Sequence, residues 1–306
     1  MTRSMMTVSE IEVMARGIRR RVFAHTLANN GGYLSQACSS AEILSCLYGG
    51  MANLAPLSKP RGPRPFDIVP AIGRQDHYHT GAEFHGRQNE KRDRLIISPA
   101  HYALVVYAAL IESGRLTQDS LDHFNEDGST VEMIGAEHSP GFETTTGSLA
   151  QAISQAGGIA LARKIRSEAG KTWVFMSDGE FQEGQTWEAL AAGSYHGLSQ
   201  MRIIVDVNRQ QCDGLMDQVM MIEPLSRRLE SFGWNVTVVK GHDIPAILKA
   251  GAMEGSKPHA ILCYTDPAHG IPLLNERAPV LHYLRFTGAE ERARYELAFK
   301  EFAHGL

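Results

Sequence analysis

Cysteine is scarce in this sequence, and the four that occur, Cys38, Cys46, Cys212 and Cys263, form no C-x-x-C pair. A disulfide framework is therefore not indicated, and a reducing, cytoplasmic compartment is the expectation. Long apolar runs are missing as well: no stretch approaches the roughly 18 residues that span a bilayer. The start, "MTRSMMTVSEIEVMARGIRRRVF", carries arginines but also Glu10 and Glu12 and has no continuous apolar block, so no targeting peptide is expected. Nor is positive charge in excess. Thirty Lys plus Arg against thirty-four Asp plus Glu leave a net charge of −4, which provides no field for holding nucleic acid or an anionic membrane. Any phosphate this chain binds must be held locally. What is present is ordinary globular material: 306 residues, 43% hydrophobic, enough to bury one large core or two smaller ones.

The pattern along the chain is α/β, with the expectation of a parallel sheet flanked by helices. Ile11, Met14, Ile18, Val22 and Phe23 recur at helical spacing from Val8 to about Leu27, with Ser9 available as a cap. A second helix is expected over Ser40–Tyr48. Residues 53 to 93, rich in Pro, Gly and charge, read as a long irregular connection of the kind that covers a site or contacts a partner. Its His77, His79 and His85 include an H-x-H spacing that suggests a metal site, but no Cys or carboxylate pattern accompanies them, and a loop lining the mouth of a site is the stronger expectation. Beyond it, "RLIIS", "TWVFMS", "RIIVDVN", "WNVTVVK" and "HAILCYT" are short β-rich runs separated by helical stretches, the signature of βαβ crossovers. A Gly157–Gly158 pair inside one of those helices would allow close packing against a neighbour. The expected organisation is a domain over residues 1 to 275 and a polar, partly helical C-terminal extension over 276 to 306.

In open parallel sheets, ligands bind where strands end and helices begin. Applied here, that rule gathers Ser177-Asp178-Gly179, Asn208, Gly241-His242-Asp243, Asp266 and His269-Gly270 on one edge. Mg²⁺ takes an octahedron of oxygens and usually only one or two side-chain ligands beside substrate phosphates. Asp178 and Asn208, at neighbouring strand ends, could supply those two, and the backbone carbonyl of Gln210 a third. Gly179 would let a phosphate approach the backbone, facing the free N–H groups of the helix that follows. Of the other acids in this stretch, Glu180 and Glu188 are expected to be surface charges that favour the helix dipole.

The same residues resemble a known family. "SDGEFQEGQTWEALAAGSYHGLSQMRIIVDVNRQQCDG" resembles the thiamine diphosphate motif of transketolases, which opens with Gly-Asp-Gly and closes at an Asn, here thirty residues after Asp178. "DRLIISPAHYALVVYAAL", "EHSPGFETTTGSLAQAIS" and "HGIP" follow the family's order, and "NNGGYLSQACSSAEIL" resembles its early motif, closest to the Gly-Gly-His form of deoxyxylulose phosphate synthases and homodimeric pyruvate dehydrogenase first components. The resemblance implies the diphosphate-binding fold and, as cofactors, thiamine diphosphate with Mg²⁺, or Ca²⁺ or Mn²⁺ in its place. Asp178, Asn208 and the Gln210 carbonyl would hold the metal, and His101, Gly179 and His269 the diphosphate. Gly147 and Leu149 match backbone contacts to the pyrimidine, His138 a histidine facing substrate, and Glu183 an acid at a subunit interface. His101, His138 and His269 are the candidate proton carriers.

The resemblance extends over nearly all of this chain but only the first half of a full-length transketolase. It therefore implies a split enzyme, a transketolase-like transferase that moves a two-carbon ketol unit between sugar (phosphate) substrates. A second, C-terminal transketolase subunit would bring the pyrimidine-binding module, in a dimer of heterodimers. A thiamine enzyme acting on 2-oxoacids and a non-catalytic assembly protein are the alternatives. Four departures from the family pattern bear on them. Ser177 replaces a Gly, tolerable if its φ is negative; Pro99-Ala100 precede His101; Ala150 stands where a Gly is usual. Tyr33 occupies the place of the early motif's His and, titrating near 10, cannot shuttle protons at neutral pH.

Overall fold

Strands that lie side by side in parallel and are covered on both faces must be apolar on both faces. In a computed structural model, which describes residues 5 to 66 and 79 to 304, the chain runs through helices α1 (Val8–Ala28) and α2 (Leu34–Cys46), strand β1 (Arg94–Ile97), and helices α3 (Ala103–Glu112) and α4 (Gln151–Ile165). Then come β2 (Thr172–Ser177), α5 (Gly184–Tyr195), β3 (Met201–Val207) and a tight hairpin of β4 (Gln210–Gln211) and β5 (Gly214–Leu215). The short helix α6 (Met216–Val219), α7 (Leu225–Ser231), β6 (Asn235–Lys240), α8 (Ile244–Gly251), β7 (His259–Tyr264) and α9 (Ala289–His304) complete the order. The five long strands form one parallel sheet in the order β1-β2-β3-β7-β6, as the spacing of the apolar runs predicts.

Alternation along each strand divides the interior in two. Leu95, Ile97, Trp173, Phe175, Ile204, Ile261 and Cys263 pack with α1, α2, α3 and α8. Ile96, Val174, Met176, Ile203, Val205 and Leu262 pack with α4, α5 and α7. Helix α3 is buried from Ala103 to Ile111, so it is apolar all round and shows no amphipathic stripe. Helix α2 is likewise buried from end to end. It starts at Leu34, six residues before the expected Ser40, because its serines bond inside the protein: Ser40 Oγ donates to the Gln36 carbonyl at 2.6 Å and Ser39 Oγ to Asp206 at 2.5 Å. The cap of α1 is Thr7, not Ser9. Its hydroxyl accepts from Glu10 N–H at 3.3 Å while its own N–H donates to the Glu10 carboxylate at 2.7 Å, a reciprocal capping box.

The C-terminal segment returns to the first helix. Phe23 meets Tyr295 and Phe299 of α9 edge-on, with ring centroids 6.3 and 5.2 Å apart. Upstream of α9, Gly32 and Leu284 exchange both backbone hydrogen bonds, at 2.9 and 3.0 Å. That crossing needs the Gly-Gly pair: a Cβ on Gly32 would lie 2.5 Å from the Thr26 hydroxyl, and one on Gly31 2.7 Å from the Tyr283 hydroxyl. The Gly157–Gly158 pair meets nothing within 4 Å, so it packs against no described neighbour in this chain. His77 lies outside the described residues. His85 is fully buried, with one ring nitrogen 2.8 Å from Glu143 and the other 3.2 Å from the Tyr48 hydroxyl, and Glu143 is also paired with Arg94. Among the described residues no helix is long and apolar enough to cross a membrane.

Charge also ties α1 and α2 to the edge of the sheet. Arg19 of α1 is ion-paired with Glu42 of α2, both buried, and His242 after β6 lies 3.0 Å from the same carboxylate. Burial alone would raise the Glu42 pKa, but the His242 hydrogen bond and the Arg19 charge outweigh it and hold the carboxyl down at about 2, against an ordinary value of 4.5. A carboxyl depressed in the folded state contributes stability above its unfolded pKa and loses it as pH falls through the folded one. A Glu42→Gln variant is therefore expected to be less stable than the parent by about 3 kcal/mol near neutral pH. That difference should shrink as pH is lowered from 4.5 towards 2. Urea unfolding at several pH values measures it, and a difference independent of pH would refute the assignment.

Candidate functional site

Three strands end side by side, and their ends carry the chemistry. After β1 the chain turns through Ser98, Pro99 and Ala100 to His101; after β2 Asp178 opens a 3-10 turn; after β3 Asn208 leads into the β4–β5 hairpin. Between them lies a cleft of about 210 Å³ lined by His101, Gly147, Leu149, Asp178, Gly179, Asn208 and Gln210. Seven of the nine residues singled out in the sequence thus meet in one place. His138 and His269 do not line it. His138 lies 2.9 Å from the Glu132 carboxylate and stacks on Phe66. His269 stacks on His242 with ring centroids 3.8 Å apart, because the turn after β7 leads towards the end of β6 rather than towards β3. Glu183 is exposed ahead of α5. No residue of 53 to 66 or 79 to 93 lines the cleft.

The floor of the cleft is acidic and dry. Asp178 is 1% exposed and Asp206 is fully buried, on adjoining strands whose register pairs Ser177 with Asp206. Asp206 is satisfied by the protein: Ser39, Tyr102, Thr265 and the Asn208 amide all donate to it. Asp178 receives the Arg209 N–H at 2.7 Å, which Arg209 can present because its φ is 57°. Burial first, and the Asp206 charge second, push the Asp178 pKa well above the usual carboxylate range. No Lys or Arg lines the cleft. A carboxylate in such a place is stabilised by a cation from outside the chain, and a hard divalent ion suits an all-oxygen donor set of a carboxylate, an amide and a carbonyl. Asn208 Oδ1 accepts the Gln210 N–H at 2.8 Å, which sets the amide's orientation. Gln210 Oε1 and Gln211 Nε2 are buried without partners, and above Gly179 only the Gln211 side chain comes within 4 Å of where a Cβ would stand. Ile134 and Leu149, 43% and 36% exposed, add an apolar rim that suits a ring system.

Glu180, expected on the surface, is fully buried. It accepts from Ser98 Oγ, from the Ser177 N–H at 2.8 Å and from the Ala150 N–H at 3.1 Å, so it fastens the ends of β1 and β2 to the start of α4. Burial pushes its pKa up to about 7. The pattern that marks it is Ser177-x-x-Glu180, a capping box whose serine ends a strand. Ser177 has φ −99°, so its side chain is accommodated without strain. Ala150 has φ 64° and sits in the left-handed region, where a Cβ is costly.

Two histidines face each other across the cleft. His101 is pushed down to about 3 by burial, with a smaller contribution from His282, so it is neutral at pH 7. His282 lines the cleft with its ring 5.2 Å from that of His101, and its carbonyl accepts from Gln36 Nε2 at 3.0 Å. Tyr33 packs on both, at 5.9 and 5.6 Å, and on Tyr283 at 5.0 Å. His282 lies in the part of the chain expected to be an extension, and only the distant Gly32–Leu284 pairing draws it in. A second cluster brings ligand atoms of Glu42, His242 and His269 within 4.8 Å of one another. It is closed without an ion: His242 uses one ring nitrogen on Glu42 and the other to accept the Asp266 N–H at 2.9 Å, and Arg19 balances the carboxylate.

Comparison with known proteins agrees with this geometry. Residues 82 to 282 match the family described as "Transketolase, thiamine diphosphate binding domain". The transketolase family protein y4mO of Sinorhizobium fredii, uncharacterized, is 35% identical over 277 residues, covering 89% of this chain and 88% of that protein. One of the two-chain type, an apulose-4-phosphate transketolase subunit of Phocaeicola vulgatus, is 26% identical, covering 98% of this chain and 96% of that one. Among solved structures, transketolase from Campylobacter jejuni shares the fold with a TM-score of 0.72 at 22% identity. The likeness covers 98% of this chain and 48% of that enzyme, so the chain spans about half its length.

The left-handed Ala150 leads to a direct test. Ala150→Gly is expected to raise the unfolding free energy by about 1 kcal/mol, as relief of the Cβ clash exceeds the added freedom of the unfolded chain. Equilibrium urea denaturation measures it, and a lowered midpoint would contradict the strain.

Proposed function

The chain belongs to the transketolase family, and from that premise we propose that it is the diphosphate-binding subunit of a thiamine diphosphate- and Mg²⁺-dependent transketolase-like enzyme. The reaction is transfer of a two-carbon ketol unit between sugar (phosphate) substrates, in a site completed by a second polypeptide that carries the pyrimidine-binding module. The observation that carries this reading is the buried Asp178 beside Asn208, at adjoining strand ends, in a cleft with no Lys or Arg. The Phocaeicola relative, matched over 96% of its own length, is named as one subunit of a transketolase, which supports a division of the enzyme between chains. Apolar surface beside the cleft supports it too: Val219, Met220 and Met221 are about half exposed, and Gln182, in the turn after Asp178, donates to the Met220 carbonyl. A dimer of two such pairs is the proposed assembly.

In this reading the Asp178 carboxylate, Asn208 Oδ1 and the Gln210 carbonyl hold the metal. The Gly179 backbone, His101 and His282 receive the diphosphate, and Gly147 and Leu149 meet the pyrimidine. The phosphate role expected for His269 passes to His282, which lines the cleft as His269 does not. His138, outside the lining and turned to Glu132, is assigned to the approach of substrate. When bound, thiamine diphosphate supplies a nucleophilic carbon and an electron sink for carbon–carbon bond cleavage. The chain's own part is to orient and to exclude water. His101, neutral through burial, can accept or donate one proton without adding charge. Tyr33, whose pKa is raised further by burial, fills the mouth and carries no proton at neutral pH. That substitution is the one feature favouring a second reading, a thiamine enzyme that uses a 2-oxoacid donor; xylulose 5-phosphate against pyruvate, with the partner present, separates the two.

Calorimetry of the chain together with its partner tests the proposal. Thiamine diphosphate should bind only with Mg²⁺, Asp178→Ala should abolish binding, and His282→Ala should weaken it by roughly tenfold or more. His269→Ala should leave affinity unchanged. Absence of binding to the assembled pair would leave only a non-catalytic assembly role, and loss through His269 rather than His282 would reverse the assignment of the two histidines.

A further inference from the structure

Gln210 and Gln211 stand next to each other in the hairpin after β3, and the protein uses them in opposite ways. Gln210 Nε2 donates to the carbonyls of Gln211 at 3.0 Å, Gly214 at 3.0 Å and Pro279 at 2.6 Å, which pins the hairpin to the segment that carries His282. Gln211 lines the same cleft and its Nε2 is buried, yet that nitrogen donates to nothing. A buried amide donor left unpaired is costly, and such a group calls for an acceptor from outside the chain. Its position says where that acceptor lies. Gln211 Oε1 and Nε2 are 3.2 and 3.6 Å from the point where a Cβ on Gly179 would stand, so the carboxamide overhangs the glycine whose bare backbone leaves room for a phosphate.

Charge narrows the acceptor further. With no Lys or Arg in the lining and His101 neutral, the cleft has no fixed positive side chain with which to meet an anion. Recognition of anionic oxygens by the chain itself must use neutral N–H groups, and Gln211 Nε2 is an uncommitted one. Resting on the cofactor reading above, we propose that Gln211 is a phosphate-recognising residue of the cleft, its Nε2 donating to a phosphoryl oxygen of the diphosphate that passes over Gly179. Turned by 180° the same side chain would offer an acceptor instead, which would repel that oxygen. The proposal therefore requires the donor to face the ligand.

Variants at this position separate the cases, with the chain and its partner together, Mg²⁺ present, and two probes read by calorimetry: thiamine diphosphate and inorganic pyrophosphate. Gln211→Met keeps the length and removes the donor, and should weaken both probes about tenfold. Gln211→Glu keeps the shape and sets a carboxylate against the phosphate, and should weaken both by about a hundredfold or more. The thermal midpoints of the ligand-free variants should match the parent. Parental affinity in Gln211→Met, or affinity in Gln211→Glu equal to or above the parent, would overturn the proposal. So would a loss of affinity that tracks a fall in the ligand-free midpoint. Failure of the parent itself to bind thiamine diphosphate would instead remove the cofactor reading on which this rests.

Discussion

Two buried carboxylates, Asp178 and Asp206, stand at the ends of neighbouring parallel strands, and the arrangement of the molecule follows from how differently each is accommodated. Asp206 is surrounded by donors from α2, from the turn after β1, and from the turn after β7. Its charge goes into holding those elements together. Asp178, one strand away, has a single described side-chain bond, from the Arg209 backbone. Two like charges so close in a dry place cannot both be ionised readily without an external cation. The sheet thus divides its acids into one that builds the edge and one that the edge presents.

The cleft is assembled from distant parts of the chain. Gln36 and Tyr33 come from the start of α2, the central residues from the ends of β1, β2 and β3, and His282 from near the C-terminus. Gln210 and Gln36 both reach the 279–282 segment, one through the Pro279 carbonyl and one through the His282 carbonyl. The position of His282 is therefore set by the same hairpin that carries the candidate metal carbonyl. Glu180 does the equivalent work on the other side, joining β1, β2 and α4 beneath the rim.

Much of this is legible in the sequence, and the misses share a cause. Strand-sized apolar runs and the polar residues behind them reveal the sheet, its direction and seven cleft residues, since those signals are local. Glu180 is misread because an acid in the first turn of a helix looks the same whether it faces water or caps a buried strand end; the Ser-x-x-Glu spacing is the available cue, as Thr7-x-x-Glu10 is for α1. Helix α2 begins earlier than its composition suggests because its serines, polar by nature, are satisfied inside the protein. The exchange of His269 for His282 in the cleft turns on a contact between residues 32 and 284, which no periodicity or motif spacing encodes. The left-handed Ala150 gives a backbone reason for the glycine that the family pattern prefers there, whereas motif comparison alone suggests only a crowded cofactor.

The Gly32–Leu284 pairing has a consequence for how such a module can be cut or joined. The two backbone bonds close the chain into a ring whose clasp lies beside the cleft, with Tyr33 and His282 as its inner faces. A protease site, a fusion junction or an intein placed between the end of β7 and residue 284 would open that ring while leaving all five long strands whole. The product would keep its sheet and its aspartates and would lose a wall of the cavity, so for this architecture the boundary of the folded unit and the boundary of the working unit are different places.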